Sequence, residues 1–336
     1  MKVALAYNLK EKDESKPADY FSEFDSKETI SAITDALHKN GHSVRAVNAA
    51  RAYEVVEFFR KNHIDIVFNI AEGRTGKFRE SEIPAILDYL NIPYTGSNTF
   101  SLALALNKAF TKKILRAENI PTPHFQVFTK GSEPLDPTLQ FPLIVKPNRE
   151  GSAKGISKSC VVDNEEALLR KVKEILGAYQ QEVLVEEFID GKELTVGILE
   201  NGKAVVLPIL EIDFSTCTKS GEYFYSWRVK EYQGNEELGL VPTFHCPARL
   251  DKETEALVKQ VALNTHRAVG CFDISRTDIR LGKNNVPYVL EINPLPGLDP
   301  KESNFPIMAY AAGMRYEDII ESILMSAIKR RKEQIE

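Results

Sequence analysis

The chain has 336 residues, 43% of them hydrophobic and 27% charged, and a net charge of −5. That balance suits a globular protein of two or three domains, at roughly 100–200 residues each, and gives no electrostatic case for binding nucleic acid. No apolar run reaches the roughly 20 residues a bilayer span needs, and Cys160, Cys217, Cys246 and Cys271 lack a C-x-x-C spacing, so reduced thiols in a cytoplasm are expected rather than a zinc site or a disulfide frame.

Residues 1–95 alternate strand and helix. Val3–Tyr7 reads as an apolar strand rather than a signal peptide. Ile30–Lys39 has helical spacing through Ile30, Ile33 and Leu37 and ends at Asn40-Gly41, a C-cap signal. Strands Ser43–Val47 and Ile64–Asn69 follow, with helices at Tyr53–Lys61 and Ile83–Leu90. This β-α-β-α order predicts a small parallel sheet with helices on its faces. The polar segment 8–28 falls at the carboxyl end of the first strand, the edge where open α/β sheets bind ligands.

A single helix is expected over Ser101–Glu118, then strands at Phe125–Thr129, Leu143–Lys146 and Val161–Asp163, and an amphipathic helix at Glu165–Leu176. Strands Glu182–Glu187, Glu193–Leu199 and Val205–Ile212 precede a long polar segment, 213–235. Lys252–Val269 and Tyr316–Ile335 are the remaining long helices.

Two stretches carry chemistry. After the apolar strand at Lys146, the small residues Gly151, Ser152, Ala153 and Gly155 let backbone amides approach an anion closely, and Lys146 can place an ammonium on phosphate oxygens. The pattern is neither G-x-x-x-x-G-K-[ST] nor G-x-G-x-x-G. The second stretch is a hairpin, Ser275–Leu281 and Val289–Asn293 about a Gly282–Asn285 turn. Alternation puts Arg276, Asp278 and Arg280 on one face, and Glu291 and Asn293 on a face of the partner strand. Two carboxylates and an amide oxygen beside an arginine suit a hard cation such as Mg²⁺ that also holds phosphates. A phosphate cradle plus such a site points to nucleoside triphosphate chemistry.

The motifs resemble those of the ATP-grasp superfamily, and within it the D-alanine–D-alanine ligase family. The resemblance is carried by Pro142–Ser157, by Ile92–Ser97 with Leu104–Lys108, by Val183–Glu193, by Glu291–Leu298 and by Met308–Met314, in the family's order. It implies an α/β fold, α+β in its ATP-grasp part: an N-terminal parallel-sheet domain, 1–97, then a two-domain ATP-grasp at 98–185 and 186–336. It implies ATP and two Mg²⁺, with Mn²⁺ as an alternative, and an amide bond made through an acyl phosphate from amino-acid substrates. Lys108 and Lys146 would contact phosphates, Glu186 and the backbone near Ile189 the adenine, and Glu193 the ribose. Lys230 would reach the γ-phosphate. Asp278, Glu291 and Asn293 would hold the metal ions, and Arg276 would stabilise the transferring phosphoryl group. Ser152 would orient the loop and first substrate, while Glu23, Gly297, Ser303 and Asn304 would complete the substrate site. The resemblance also suggests a homodimer through the N-terminal domain.

The departures from that family cluster in the substrate pocket. Asn8-Leu9-Lys10 stands where the family has Gly-Gly, and Phe24, flanked by Glu23, falls where its ammonium-anchoring glutamate does. Glu231 follows Lys230 in place of a tyrosine, and Asn304 follows Ser303 in place of a leucine. Arg74, Lys77 and Arg79 are new basic residues. These side chains either lie on a solvated loop or form a basic patch at the mouth of the pocket, which would favour a substrate with an extra acidic group or a longer peptide-like acid. Segments 149–157 and 213–235, the latter with the only tryptophan, Trp227, are lid candidates.

Overall fold

The computed structural model describes residues 1–335 apart from Lys12 and Glu14, with side chains followed as far as Lys332. Three sheets organise the chain. In the first, β1 (Lys2–Tyr7) pairs in parallel with both β2 (Ser43–Asn48) and β3 (Ile66–Asn69), in the order β2-β1-β3. The helices α1 (Lys27–Lys39), α2 (Ala52–Lys61) and α3 (Glu82–Tyr89) connect and flank these strands. Ser26 caps α1 by accepting from the Thr29 amide. The segment after β1 folds back on itself: Asp25 N donates to Asn8 O, and Lys10 N donates to Asp25 O. It therefore holds its acidic end at the sheet's carboxyl edge.

The helix expected over 101–118 is two helices, α4 (Thr99–Leu106) and α5 (Lys108–Ala117). The break is at Asn107, whose side chain accepts from the Phe110 amide and from Asn148 Nδ2. An Asn that caps a new helix competes with continuing the old one, and here it starts α5 at Lys108.

The second sheet, in the order β4-β7-β5-β6, contains β4 (Phe125–Phe128), β5 (Leu143–Pro147), β6 (Val161–Val162) and β7 (Val183–Glu187), with α6 (Glu165–Tyr179) against it. Strand β7 runs through residue 185 and belongs to this sheet throughout. The third is antiparallel: β8 (Gly191–Glu200), β9 (Ala204–Val206), β10 (Leu210–Asp213), β11 (Thr243–His245), β12 (Ile274–Gly282) and β13 (Pro287–Asn293). The strand expected over 205–212 is divided into β9 and β10, which pair separately with β8 across Pro208. The short α7 (Trp227–Glu231) lies in the polar segment, and α8 (Lys252–Val269) packs beneath this sheet through Val258 and Ala262. The chain closes with α9 (Asn304–Ala311) and α10 (Tyr316–Ile335).

One apolar core joins the ends of the chain. Leu5, Ile33 and Phe68 pack with Ile274, Phe305, Ile320 and Leu324. This core fixes the carboxyl edge of the parallel sheet beside the β12–β13 hairpin, so residues near 23–25 and 72–80 face residues near 291–304 across one cleft. No helix among the described residues is long and apolar enough to cross a membrane.

Candidate active site

The cleft has a volume of about 470 Å³ and is lined by the second and third sheets and by the segments beyond the carboxyl edge of the first. On its floor, strand register sets Arg276 opposite Asn293 and Asp278 opposite Glu291. A bulge follows at Asp278/Ile279 and re-aims the next side chains. Asp278 accepts from Arg276 Nε at 2.9 Å and Nη2 at 2.7 Å, from Thr195 Oγ1 at 2.6 Å and from Asn293 Nδ2 at 3.1 Å. Glu291 lies 3.1 Å from Lys108 Nζ. Burial pushes the Glu291 carboxyl up, but Lys108, Lys146 and Arg276 outweigh it and hold it down at about 2. Two carboxylates and an amide whose oxygen can turn inward form a hard donor set that fits Mg²⁺. Among the described residues, no three His, Cys, Asp or Glu side chains converge on a metal position. A cation held here would draw its other ligands from phosphate oxygens and water.

The facing wall carries the cations. Lys146, near the end of β5, hydrogen-bonds Glu186 on β7, and Lys112 Nζ is 2.8 Å from the other Glu186 oxygen. Sequence reasoning missed Lys112, which has the helical spacing of a residue one turn beyond Lys108 and is completely buried. Burial pushes its ammonium down to about 8 against the pull of Glu186. In the loop beyond β5, Ser152 and Ala153 take left-handed φ values of 51° and 55°, a costly conformation that tends to mark functional loops. Lys230 donates to Ser152 Oγ at 3.0 Å, and burial, with Arg276 adding to it, lowers the Lys230 ammonium to about 8.

Gly151, Ser152, Ala153, Glu186, Ile189 and Glu193 line the cleft, as do Gly297, Ser303 and Asn304. Two expected contacts do not. Lys108 sits behind Glu291 and donates to the Glu150 carbonyl. Gly155 donates its amide to Asp19 at 3.2 Å, and a Cβ there would stand 2.8 Å from Tyr179. Its smallness serves packing rather than anion approach. Glu193 accepts from the Tyr225 amide at 3.1 Å. Ser303 Oγ accepts from the Asp299 amide at 3.0 Å.

The two lid segments meet the N-terminal loop. Trp227 Nε1 donates to Ser22 Oγ at 2.9 Å, and Trp227 N donates to the Ile156 carbonyl at 3.1 Å. Glu231, in the tyrosine's place, pairs with Lys10 at 3.2 Å.

The basic patch expected at the mouth is not one. Arg79 is buried and bonds Glu23 at 2.7 Å and the Arg149 carbonyl at 2.8 Å, with Glu150 at 3.6 Å. Arg74 and Lys77 are exposed on the loop. Glu23 also accepts from the Gly151 amide at 2.7 Å and from Lys154 at 3.3 Å. A Cβ at Gly151 would sit 2.6 Å from the Glu23 oxygen, which accounts for glycine there. Burial pushes Glu23 up, yet Arg79 and Lys154 hold it down at about 2. Glu23 thus ties the phosphate loop to the N-terminal domain. The N-terminal side of the cleft is lined by Glu23 together with Asp25, Glu72 and Glu80, the last three not singled out from the sequence. Their signal was placement: carboxylates just past β3 and just before α1, at the carboxyl edge.

The "D-ala D-ala ligase C-terminus" family model matches residues 114–325. A D-alanine–D-alanine ligase of Carboxydothermus hydrogenoformans is 35% identical over 313 residues, covering 90% of this chain and 94% of that one. An uncharacterised protein, y4sG, of Sinorhizobium fredii is 35% identical over 268 residues, 79% of this chain and 75% of that one. The D-alanine–D-alanine ligase of Bacillus anthracis, crystallised with ATP, superposes with a TM-score of 0.76 at 26% identity over 99% of both chains.

Proposed function

We propose that this chain, which belongs to the D-alanine–D-alanine ligase family, joins a carboxylate to an amine at the cost of ATP and does not take D-alanine as its preferred substrate. The observation that carries the ligase reading is one cleft with the Asp278–Glu291–Asn293 donor set on one wall and Lys146, Lys230 and the 151–153 loop on the other. Glu186 and the backbone at Ile189 hold the adenine, and Glu193 the ribose. Lys146 and Lys230 hold phosphates. Lys108 acts from behind Glu291 by keeping it charged.

Mg²⁺ held by Asp278, Glu291 and Asn293 would neutralise phosphate charge and polarise the γ-phosphoryl group. The substrate carboxylate attacks the γ-phosphorus, the bond to the β-phosphate oxygen breaks, and an acyl phosphate and ADP result. A neutral amine then attacks the acyl carbon, phosphate leaves, and the nitrogen sheds a proton to yield the amide. Arg276 stabilises the transferring phosphoryl group and then the tetrahedral oxyanion. Trp227 and Ser152 belong to the segments that would exclude water from the acyl phosphate. Glu23 positions the loop, and Gly297, Ser303 and Asn304 receive the second substrate.

The altered substrate is favoured by Glu231 paired to Lys10 and by Glu23 being committed to Arg79. Phosphate release from Mg·ATP, measured with amino acids singly and in pairs, tests both parts. Release that depends on an amino acid is expected. Its absence with every amino acid removes the ligase reading, and saturable turnover with D-alanine alone restores the plain D-alanine–D-alanine ligase.

A further inference from the structure

The N-terminal side of the cleft holds more carboxylates than its own cations answer. Arg79 and Lys154 are engaged with Glu23 and Glu150, and Lys10 is engaged with Glu231. Asp25, Glu72 and Glu80 also line the cavity, and among the described residues none has a cation within salt-bridge distance or a side-chain hydrogen bond. Glu80 is the sharpest case. Only 9% of its surface is exposed, yet it borders the cavity without a partner. Buried carboxylates are normally paired or hydrogen-bonded, because taking a bare charge out of water is unfavourable.

Glu72 feels both Glu80 and Asp25. Burial and then Glu80 raise Glu72 well above its usual range. Burial raises Glu80 to about 7. Burial and Asp299 raise Asp25 to about 7.

The opposite wall sets the direction of a ligand. Arg276, the group proposed to meet the transferring phosphoryl, lines the opposite side of the cleft with Lys230, so a ligand whose carboxylate reacts there turns its amino end toward Asp25, Glu72 and Glu80. The α-ammonium of a neutral amino acid brings one positive charge to three carboxyls. We infer that this lobe selects an amino acid bearing a second cationic group, a side-chain ammonium or guanidinium, through Asp25, Glu72 and Glu80. The inference rests on the ligase reading for the ligand's being an amino acid.

Calorimetric titration of the full chain, loaded with Mg²⁺ and a non-hydrolysable ATP analogue, tests it. Lysine, ornithine and arginine are compared with norleucine, alanine and glutamate, each in both enantiomers. At least one basic amino acid should bind tenfold or more tightly than norleucine of the same hand. Glu80→Gln and Glu72→Gln should each remove most of that preference while leaving the nucleotide analogue's affinity within twofold, and Asp25→Asn serves where either fails to fold. Norleucine, alanine or glutamate binding as tightly as the basic amino acids, no binding of any basic amino acid, or a preference that survives all three substitutions overturns the inference. Phosphate release separates the two readings. Amino-acid-dependent release without a basic preference keeps the ligase and sinks the inference. A basic preference in binding without release keeps the inference and sinks the ligase.

Discussion

The two walls of the cleft handle charge in opposite ways. On the phosphate wall nearly every ion has a partner within the protein: Lys146 and Lys112 with Glu186, Lys108 with Glu291, and Arg276 with Asp278. On the N-terminal wall Asp25, Glu72 and Glu80 line the cleft and have no ion-pair partner among the described residues. A wall neutralised internally is preorganised: its dipoles and charges are already aimed when the nucleotide arrives, so little reorganisation is needed in the reaction. A wall with unanswered charge relies on its ligand to complete it, and therefore discriminates by charge. In the proposed ligase, the machinery that serves any substrate and the selectivity that serves one would thus be built with different electrostatics in one cavity.

The largest effect should come from the paired wall. Glu291→Gln removes a metal-facing charge and the partner of Lys108, and turnover should fall on the order of 10³-fold while circular dichroism and the melting curve stay cooperative. Near wild-type ADP formation would show that this wall does not hold the metal. Arg79→Met breaks the buried links to Glu23 and Glu150 at the seam between the walls. Removing one partner of a buried pair should cost about 3–5 kcal/mol, read as a lower midpoint in urea. An unchanged midpoint would mean that the seam contributes no stability.

The unpaired wall makes a prediction about pH. The Glu80 carboxyl keeps its proton in the folded protein up to about 7, against an ordinary value of 4.5. The folded state therefore binds more protons than the unfolded one between those values, and stability falls as pH rises from about 4.5 to 7. Glu80→Gln should flatten that slope and stabilise the ligand-free protein at pH 8 by about 2–3 kcal/mol. A melting-temperature profile with the same slope in both proteins would mean that Glu80 is answered by something else. The smallest effect concerns the nucleotide. Lys146→Ala should weaken ATP by about tenfold to a hundredfold and adenosine far less, because adenosine has no phosphate to lose. Equal losses by equilibrium dialysis would reassign Lys146 to the adenine side through Glu186.

The placement of Asp278, Glu291 and the 151–153 loop on one cleft was largely legible in the sequence because the parts are local. Asp278 and Glu291 sit on one hairpin, where strand alternation and a short turn fix their faces, and Gly151–Ala153 follow a strand directly. Lys112 escaped notice because it lies mid-helix, where a buried lysine and a solvated one have the same spacing. The divided helix at Asn107 escaped because the Asn148 side chain that bonds it comes from another sheet.

The sequence by itself determined the parallel sheet of the N-terminal region, the β12–β13 hairpin and the family. Each is written as a period of two or 3.6 residues, or as a motif of contiguous residues, and neither needs a distant partner to be read. Only the tertiary structure decided the sign of the substrate pocket. Arg74, Lys77 and Arg79 look like one basic patch along the chain, but the fold buries Arg79 against Glu23 and Glu150 and leaves the other two in solvent. The core of Leu5, Phe68, Phe305 and Ile320 then brings Asp25, Glu72 and Glu80 to a single wall. Net charge at a site is a sum over groups that meet in space, and which groups meet is set by packing between remote segments, not by their order in the chain.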